Sequence, residues 1–133
     1  MAKQTTTPVL LTTGLVTQHT VSSGQQTSLV VLHMVNTHSS AVNVEIQFID
    51  SGQTANDKYI IVETQTGTNE LAAGETRDMP RVMFKDAGAF LQARADVASK
   101  IAFFASILEE SVYKKGGKRW DCIATNQPIL VAE

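Results

Sequence analysis

Three histidines, His19, His33 and His38, are the first residues of this sequence that could bind a metal ion or transfer protons. Metal-binding histidines usually occur in ligand-spaced pairs, such as His-x-His or the helical H-E-x-x-H motif. His33 falls in a candidate strand, His38 follows it in a polar loop, and His19 is distant in sequence. We therefore expect solvated or core-edge histidines, and no metal or cofactor.

Cys122 is the one thiol of the chain, so it cannot form an intrachain disulfide. A nucleophilic cysteine needs a histidine beside it, but the neighbours of Cys122 are Trp120, Asp121 and Ile123. We interpret Cys122 as a small buried apolar side chain. The serines fall in turns, and no G-x-S-x-G nucleophile motif is present.

The carboxylates are scattered over predicted loops rather than paired. Asp50 and Asp57 flank one loop that could hold calcium, but this loop lacks the acidic density of an EF-hand. Glu109 and Glu110 close the last candidate strand, and we predict a solvated strand end there. With no catalytic constellation in view, the sequence predicts a protein that is not an enzyme.

The most distinctive polar feature is a basic loop centred on Gly116 and Gly117 and bracketed by Tyr113 and Trp120. In a nucleic-acid complex, the lysine and arginine side chains of this loop could bind phosphates while the aromatic rings stack on bases. Alternatively, the loop is a solvated hairpin tip or a contact to another subunit. The chain has 11 Lys and Arg against 13 Asp and Glu, a net charge of −2, which makes nucleic-acid binding the less favoured interpretation. The interaction candidates in this region are Lys114, Lys115, Lys118, Arg119 and Trp120.

The elements that must position these residues follow a period of two, which is typical of β-strands. Residues 42–48 alternate apolar and polar, and residues 27–35 are apolar on both faces. The turn-forming residues 36–40 between them predict a β-hairpin.

Further strands are predicted at the spacing of a sandwich. Pro80 makes the stretch at 76–84 an edge strand or splits it. Alanines within 85–111 leave a helix as the alternative there, although the alternation continues across a turn. The additional candidate strands are residues 9–12, 15–20, 58–63, 76–84, 89–95 and 100–109.

The fold class is therefore all-β, an antiparallel β-sandwich of jelly-roll or immunoglobulin-like type, and 133 residues suffice for one domain. We divide that domain into an N-terminal arm with the first strands (1–20), the sandwich (21–112), and a basic loop with a C-terminal arm (113–133). No apolar run approaches a signal sequence or a membrane span, so we expect synthesis in a cytosol and no membrane partner.

One face of the last predicted strand is unusually apolar, because Phe104 and Leu108 share it with Ala102 and Ser106. Either the N-terminal strands or the C-terminal tail cover this face, or it is an intersubunit surface, since large exposed apolar patches usually mark interfaces. Phe104 and Leu108 join the interaction candidates.

The order of turns and strands over residues 21–111 resembles small β-sandwich structural proteins of tailed bacteriophage particles. The shared pattern comprises a V-x-x-G turn at 21–24, a hydrophobic hairpin ending in Asn36-Thr37, an A-G-E-T type turn at 73–76, and a K-D turn before the L-x-A-x-A strand at 91–95. These are structural positions, so no functional residue is carried over from the family.

The resemblance implies a non-enzymatic virion structural protein, made in the host cytoplasm, that decorates and cements the phage head by bridging capsid subunits. Its partners would be the major capsid protein or other virion subunits and further copies of itself, with a trimer favoured. The alternatives are a neck, tail or fibre component, and a carbohydrate-binding sandwich. The carbohydrate-binding alternative is thinly supported, since Tyr59, Tyr113 and Trp120 are the only Tyr and Trp residues.

Overall fold

The computed structural model describes residues 2–111, and their regular structure consists of nine β-strands and one short 3-10 helix, Asp57–Tyr59. The predicted basic loop and C-terminal arm at 113–133, including Cys122, lie outside the described residues. The strands are β1 (Ala2–Thr5), β2 (Val9–Leu10), β3 (Val16–Thr20), β4 (Gln25–Asn36), β5 (Val44–Ile49), β6 (Ile60–Glu63), β7 (Thr76–Asp86), β8 (Phe90–Ala95) and β9 (Ile101–Ser111).

The strands form two antiparallel sheets. Sheet A has the order β1-β9-β4-β7, with β2 also paired to β9, and sheet B has the order β3-β8-β5-β6. The predicted all-β antiparallel sandwich is therefore confirmed, and the helix alternative for residues 85–111 is wrong, because β8 and β9 occupy that stretch.

The strand pairing is nested, and this identifies the sandwich as a jelly roll. β5 pairs with β6, β4 with β7, β3 with β8, and β2 with β9. Such pairing is that of one long antiparallel ribbon wrapped around a core, which is the jelly-roll arrangement. Of the two architectures left open by the sequence, the structure has the jelly roll.

The predicted hairpin between residues 27–35 and 42–48 is wrong, although both strands exist. β4 pairs with β7 and β9 in sheet A, whereas β5 pairs with β6 and β8 in sheet B. The polar segment between them crosses from one sheet to the other. Asn36 anchors the crossing, because its buried amide donates to the backbone carbonyls of Ser40, Leu71 and Ala72 at 2.9–3.1 Å.

The core lies between the sheets and is built from every second residue of the strands. Leu32 and Met34 of β4 and Phe103 of β9 face Ile46 and Phe48 of β5 across it, and all five are fully buried. This burial of apolar surface is the main driving force for the fold.

The edge position of Pro80 is confirmed, since β7 runs unbroken along the edge of sheet A. Two arginines of β7 close this side of the sandwich. Arg81 donates from Nε to the Ile61 carbonyl on β6 at 3.2 Å, and Arg77 donates from a terminal nitrogen to the Asn69 carbonyl at 2.8 Å. Backbone oxygens at the rim of sheet B are thereby satisfied.

Candidate interaction surface

The outer face of sheet A carries apolar side chains on all of its long strands. One row of the register runs Lys3, Leu108, Leu29 and Val82 across β1, β9, β4 and β7, and further rows follow on either side. We call this surface the apolar face. Its apolar members are Leu10, Leu29, Val31, Val35, Pro80, Val82, Phe84, Ala102, Phe104 and Leu108.

Three of these side chains are more than half exposed: Val82 at 78%, Phe84 at 67% and Leu10 at 52%. Outward positions of a solvated antiparallel sheet are normally polar. The prediction that Phe104 and Leu108 lie on a common apolar outer face is consistent with the register, which places both on it beside β4.

The N-terminal strands do not cover the apolar face. β1 and β2 extend sheet A sideways, with Lys3 opposite Leu108 and Leu10 opposite Ala102 in the register of β9. The sequence left open that these strands cover the face, and this expectation is wrong. β1 and β2 instead form backbone hydrogen bonds with the edge of β9 and so lie beside it in the same sheet. Cover by the C-terminal tail concerns residues outside the described range.

A shallow hollow of about 260 Å³ opens on the apolar face beside β1. Leu29 and Val31 of β4 and Ser106 and Leu108 of β9 form its floor, and Thr5 borders it. The small Ser106 side chain lies between larger neighbours, which accounts for the depression in the sheet surface.

A histidine–carboxylate pair lies within the apolar face. The His33 ring packs on Phe104 with 4.4 Å between the ring centroids, and its Nδ1 atom contacts the Asp78 carboxylate. The carboxylate fixes the orientation of the imidazole. This pair joins β4 to β7 and is the central polar group of the face.

The outer face of sheet B has the opposite character. Arg94 pairs with Glu45 at 2.6 Å, Gln47 donates to Glu45 at 2.5 Å, and Gln92 donates to Thr17 at 3.0 Å. These side chains satisfy one another, as expected of a surface in water. The two outer faces of the sandwich therefore differ sharply in polarity.

Glu109 is fully buried, so the predicted solvated strand end is wrong for this residue. Its carboxylate lies 2.5 Å from Nε2 of His19 and accepts a hydrogen bond from Gln4 at 3.0 Å. The neighbouring strand residue on the inner face is Thr27, whose buried Oγ1 has no hydrogen-bond partner among the described residues. The sequence contained a signal for this burial, because Glu109 falls on the same side of the alternating strand as the apolar residues Phe103 and Ile107.

The other predicted chemical residues do not converge. Asp50 forms an ion pair with Lys85 at 2.8 Å, and Asp57 begins the 3-10 helix. Within residues 2–111, no group of three or more His, Cys, Asp or Glu side chains could hold a metal ion. The same range contains no helix that is long and apolar enough to cross a membrane. The basic-loop candidates Lys114, Lys115, Lys118, Arg119 and Trp120 lie outside it.

Comparison with known proteins gives distant structural similarity alone. No protein-family model matches the chain, and no curated protein matches it. A subunit of Bacillus endospore appendages, described as a family of disulfide-linked pili, is 11% identical with a TM-score of 0.47, and the match covers 84% of this chain and 88% of that one.

Two chains of infectious bursal disease virus are also similar. The Gx-strain chain is 11% identical with a TM-score of 0.42 over 80% of this chain, and the Gt-strain chain is 10% identical with a TM-score of 0.36 over 81%. In both cases the match spans 32% of the viral chain. The architecture of this protein is therefore defined by its own strand pairing.

Proposed function

We propose that this chain is a non-enzymatic structural subunit that works by contact with other protein subunits of an assembly. The observation that carries the proposal is the contrast between the two outer faces. Sheet B presents paired polar groups, whereas sheet A presents the apolar face, whose most exposed members are Val82, Phe84 and Leu10. Extended exposed apolar patches of this kind mark sites of protein contact.

The physical basis is burial of the apolar face on assembly. Each Å² of apolar surface removed from water contributes about 25 cal/mol, so a patch of several hundred Å² is a substantial driving force. Strands hold the face rigid, so docking requires little ordering of the backbone.

Within this class we propose a virion protein that decorates and cements a phage head by bridging subunits of the major capsid protein. The support is the resemblance of residues 21–111 to phage structural proteins, together with a jelly roll, an architecture found among viral capsid domains. A fold alone does not determine a function. A neck, tail or fibre position is the alternative within the same particle.

The carbohydrate-binding alternative gains no support from Tyr59, because this ring is buried and provides no exposed stacking platform. The predicted contacts through Lys114, Lys115, Lys118, Arg119 and Trp120 remain predictions, since these residues lie outside the described range. Phe104 and Leu108 are retained as contact residues of the apolar face.

A charged substitution on the apolar face tests the assembly role. Val82→Asp introduces a carboxylate at the most exposed apolar position, and we expect it to weaken self-association or particle binding at least about 30-fold, because burying an unpaired charge is costly. Thr17→Asp is the control, since Thr17 is exposed on β3 and its register partner Gln92 places it on the outer face of sheet B. Equal effects of the two variants would contradict the proposal.

The copy number in purified particles tests the position in the virion. A decoration protein is expected in numbers comparable to the major capsid protein, and a neck, tail or fibre component in a few copies per particle. Quantitative mass spectrometry of particles measures this ratio directly. Particles that lack the chain would contradict a virion role.

A further inference from the structure

We propose that the C-terminal segment of the same chain, residues 112–133, occupies the apolar face until partner subunits displace it. This inference rests on the proposed function, because it concerns the regulation of the same face. The segment itself lies outside the described residues. Three observations carry its placement: where β9 ends, which charges surround that end, and which exposed side chains lie beside it.

The chain leaves the sandwich at the apolar face itself. β9 lies between β1 and β4 within sheet A and ends at Ser111, after which 22 residues follow. Extended chain covers about 3.3 Å per residue, so these residues reach up to about 70 Å, whereas β9 from Ala102 to Leu108 spans about 20 Å. A tethered segment acts at an effective concentration of the order of millimolar, so weak contacts hold it on the face.

The end of the apolar face where β9 stops is acidic. Gln26 on β4 is the register partner of both Glu110 on β9 and Asp86 on β7, so these two carboxylates lie in one outer row. Neither belongs to an ion pair among residues 2–111. The next outer row contains one basic side chain, Lys3, opposite Leu108. This end of the face therefore carries an excess of negative charge.

The first part of the C-terminal segment carries the opposite charge. Residues 114–119 contain no carboxylate and four cations, which are Lys114, Lys115, Lys118 and Arg119. Glu110 and Asp86 are two strand spacings apart, about 10 Å, which six residues of chain can bridge. Residues 2–111 contain 7 Lys and Arg against 11 Asp and Glu, a net charge of −4, and residues 112–133 contain 4 against 2, a net charge of +2. The two parts of the chain are therefore complementary in charge.

The order of charged and apolar residues in the segment matches their order on the face. Next to the acidic row, β7 exposes Phe84 and Val82, at 67% and 78%. In the segment, Trp120 and Ile123 follow the basic run. The two glycines at 116–117 permit a tight reversal of the chain. A segment that reverses there lays its cations on the acidic row and its apolar side chains over the exposed apolar rows.

Trp120 reports whether the face is occupied, because it is the only tryptophan of the chain and belongs to the segment. In the full chain we expect acrylamide to quench its fluorescence about threefold less than that of free N-acetyltryptophanamide, at every chain concentration. Val82→Asp is expected to raise the quenching at least about twofold, because it places a carboxylate among apolar contacts. The control Thr17→Asp, on the outer face of sheet B, is expected to leave it unchanged.

Charge reversal of the basic run tests the contact with the acidic row. The fourfold variant Lys114→Glu/Lys115→Glu/Lys118→Glu/Arg119→Glu is expected to raise the quenching about twofold. Adding Glu110→Lys and Asp86→Lys to this variant is expected to restore the shielding of Trp120. Adding Asp57→Lys and Glu63→Lys instead, at exposed carboxylates away from the face, is the matched control and is expected to restore nothing.

Displacement by partners is tested by the same fourfold variant, which is expected to assemble about threefold more tightly because its face is already vacant. Weaker assembly of this variant would show that the basic run contacts the partner instead, and would overturn the proposal. Quenching of Trp120 as strong as in the free amide, or shielding that Val82→Asp leaves unchanged, would do the same.

Shielding that appears only as the chain concentration rises would assign the segment to the face of a second copy, and would also overturn the placement. The proposed function fails on a different result. If Val82→Asp and Thr17→Asp assemble equally well, the face is not an assembly contact, whatever the fluorescence of Trp120 shows.

Discussion

His19 on β3 and Glu109 on β9 join the two sheets of the jelly roll, with 2.5 Å between the imidazole Nε2 and a carboxylate oxygen. Gln4 donates to the other oxygen of the same carboxyl at 3.0 Å. One fully buried side chain therefore ties β9 to the N-terminal strand β1 and to the edge strand of the opposite sheet. A buried carboxyl is tolerated here because both of its oxygens have partners.

Removing this carboxyl is expected to destabilise the fold. Glu109→Ala leaves the amide of Gln4 and the ring of His19 without their shared partner and creates a small cavity, so we expect a loss of about 2–4 kcal/mol. Urea denaturation followed by circular dichroism measures the free energy of unfolding. The neighbouring variant Glu110→Ala, on the outer face of the same strand, is the control and should change it by less than about 0.5 kcal/mol. Similar losses of stability in both variants would show that the loss in Glu109→Ala does not come from its buried contacts with Gln4 and His19.

The turn before β7 predicts a specific acid sensitivity. The pKa of Glu75 lies below its ordinary value of 4.5, because the Ala72 backbone N–H donates to its carboxylate and the Arg77 guanidinium pairs with it. A carboxyl with a lowered pKa in the folded state stabilises the fold above its ordinary pKa, and this contribution disappears as the pH falls through the lowered value.

Glu75→Gln should therefore flatten the dependence of stability on pH below about pH 4.5, and should lower stability at pH 7. The measurement is the denaturation midpoint at a series of pH values between 3 and 7. Glu110→Gln serves as the control and should keep the acid slope of the original protein. An unchanged slope in Glu75→Gln would contradict the role of this turn.

The positions of the strands could be predicted from the sequence, but their assignment to sheets could not. Period-two alternation marked β4, β5, β8 and β9 within a few residues, and Pro80 identified the edge strand. The hairpin predicted at 36–40 is wrong because turn-forming residues occur in connections that cross between sheets as well as in tight turns. Only the long-range pairing, with β4 bonded to β7 and β9, distinguishes the two.

Only part of the candidate surface could be predicted from the sequence. The alternation of β9 placed Phe104 and Leu108 on one face, but their neighbours Leu29 and Val82 come from strands distant in sequence, and register alone brings them together. Glu109 was misread because charged residues are rarely fully buried unless paired, and its partners Gln4 and His19 lie about 100 residues away in the chain.

The connection between β8 and β9 contains a backbone position that favours glycine. Ser99 has a φ of 62°, in the left-handed region, and its backbone N–H donates to the Leu11 carbonyl at 2.9 Å. Ser99→Gly removes the steric cost of that conformation, and we expect a gain of about 0.5–1 kcal/mol in the free energy of unfolding. Ala98→Gly, one residue earlier and without a positive φ, is expected to lower stability by a similar amount. Destabilisation by both variants would contradict the strain at Ser99.

Pro80 protects the free edge of sheet A. The Asn36 backbone N–H donates to the Glu75 carbonyl, so these two residues form a hydrogen-bonded pair. Every second residue of β7 counted from Glu75 is therefore hydrogen-bonded to β4. Pro80 falls between these residues, and its nitrogen faces away from β4. An edge strand of 11 residues is a template for pairing with another chain, and proline interrupts its row of donors.

Pro80→Val adds an N–H group to this free edge and keeps an apolar side chain of similar size. Because the proline nitrogen bonds to nothing on β4, we expect the free energy of unfolding to stay within about 0.5 kcal/mol, while aggregation at high concentration becomes faster. Time-resolved light scattering measures the rate, and Pro8→Val, in the exposed connection between β1 and β2, is the matched control. A large loss of stability in Pro80→Val would place the nitrogen on the paired side of β7, and equal aggregation of both variants would show that the edge is protected by other means.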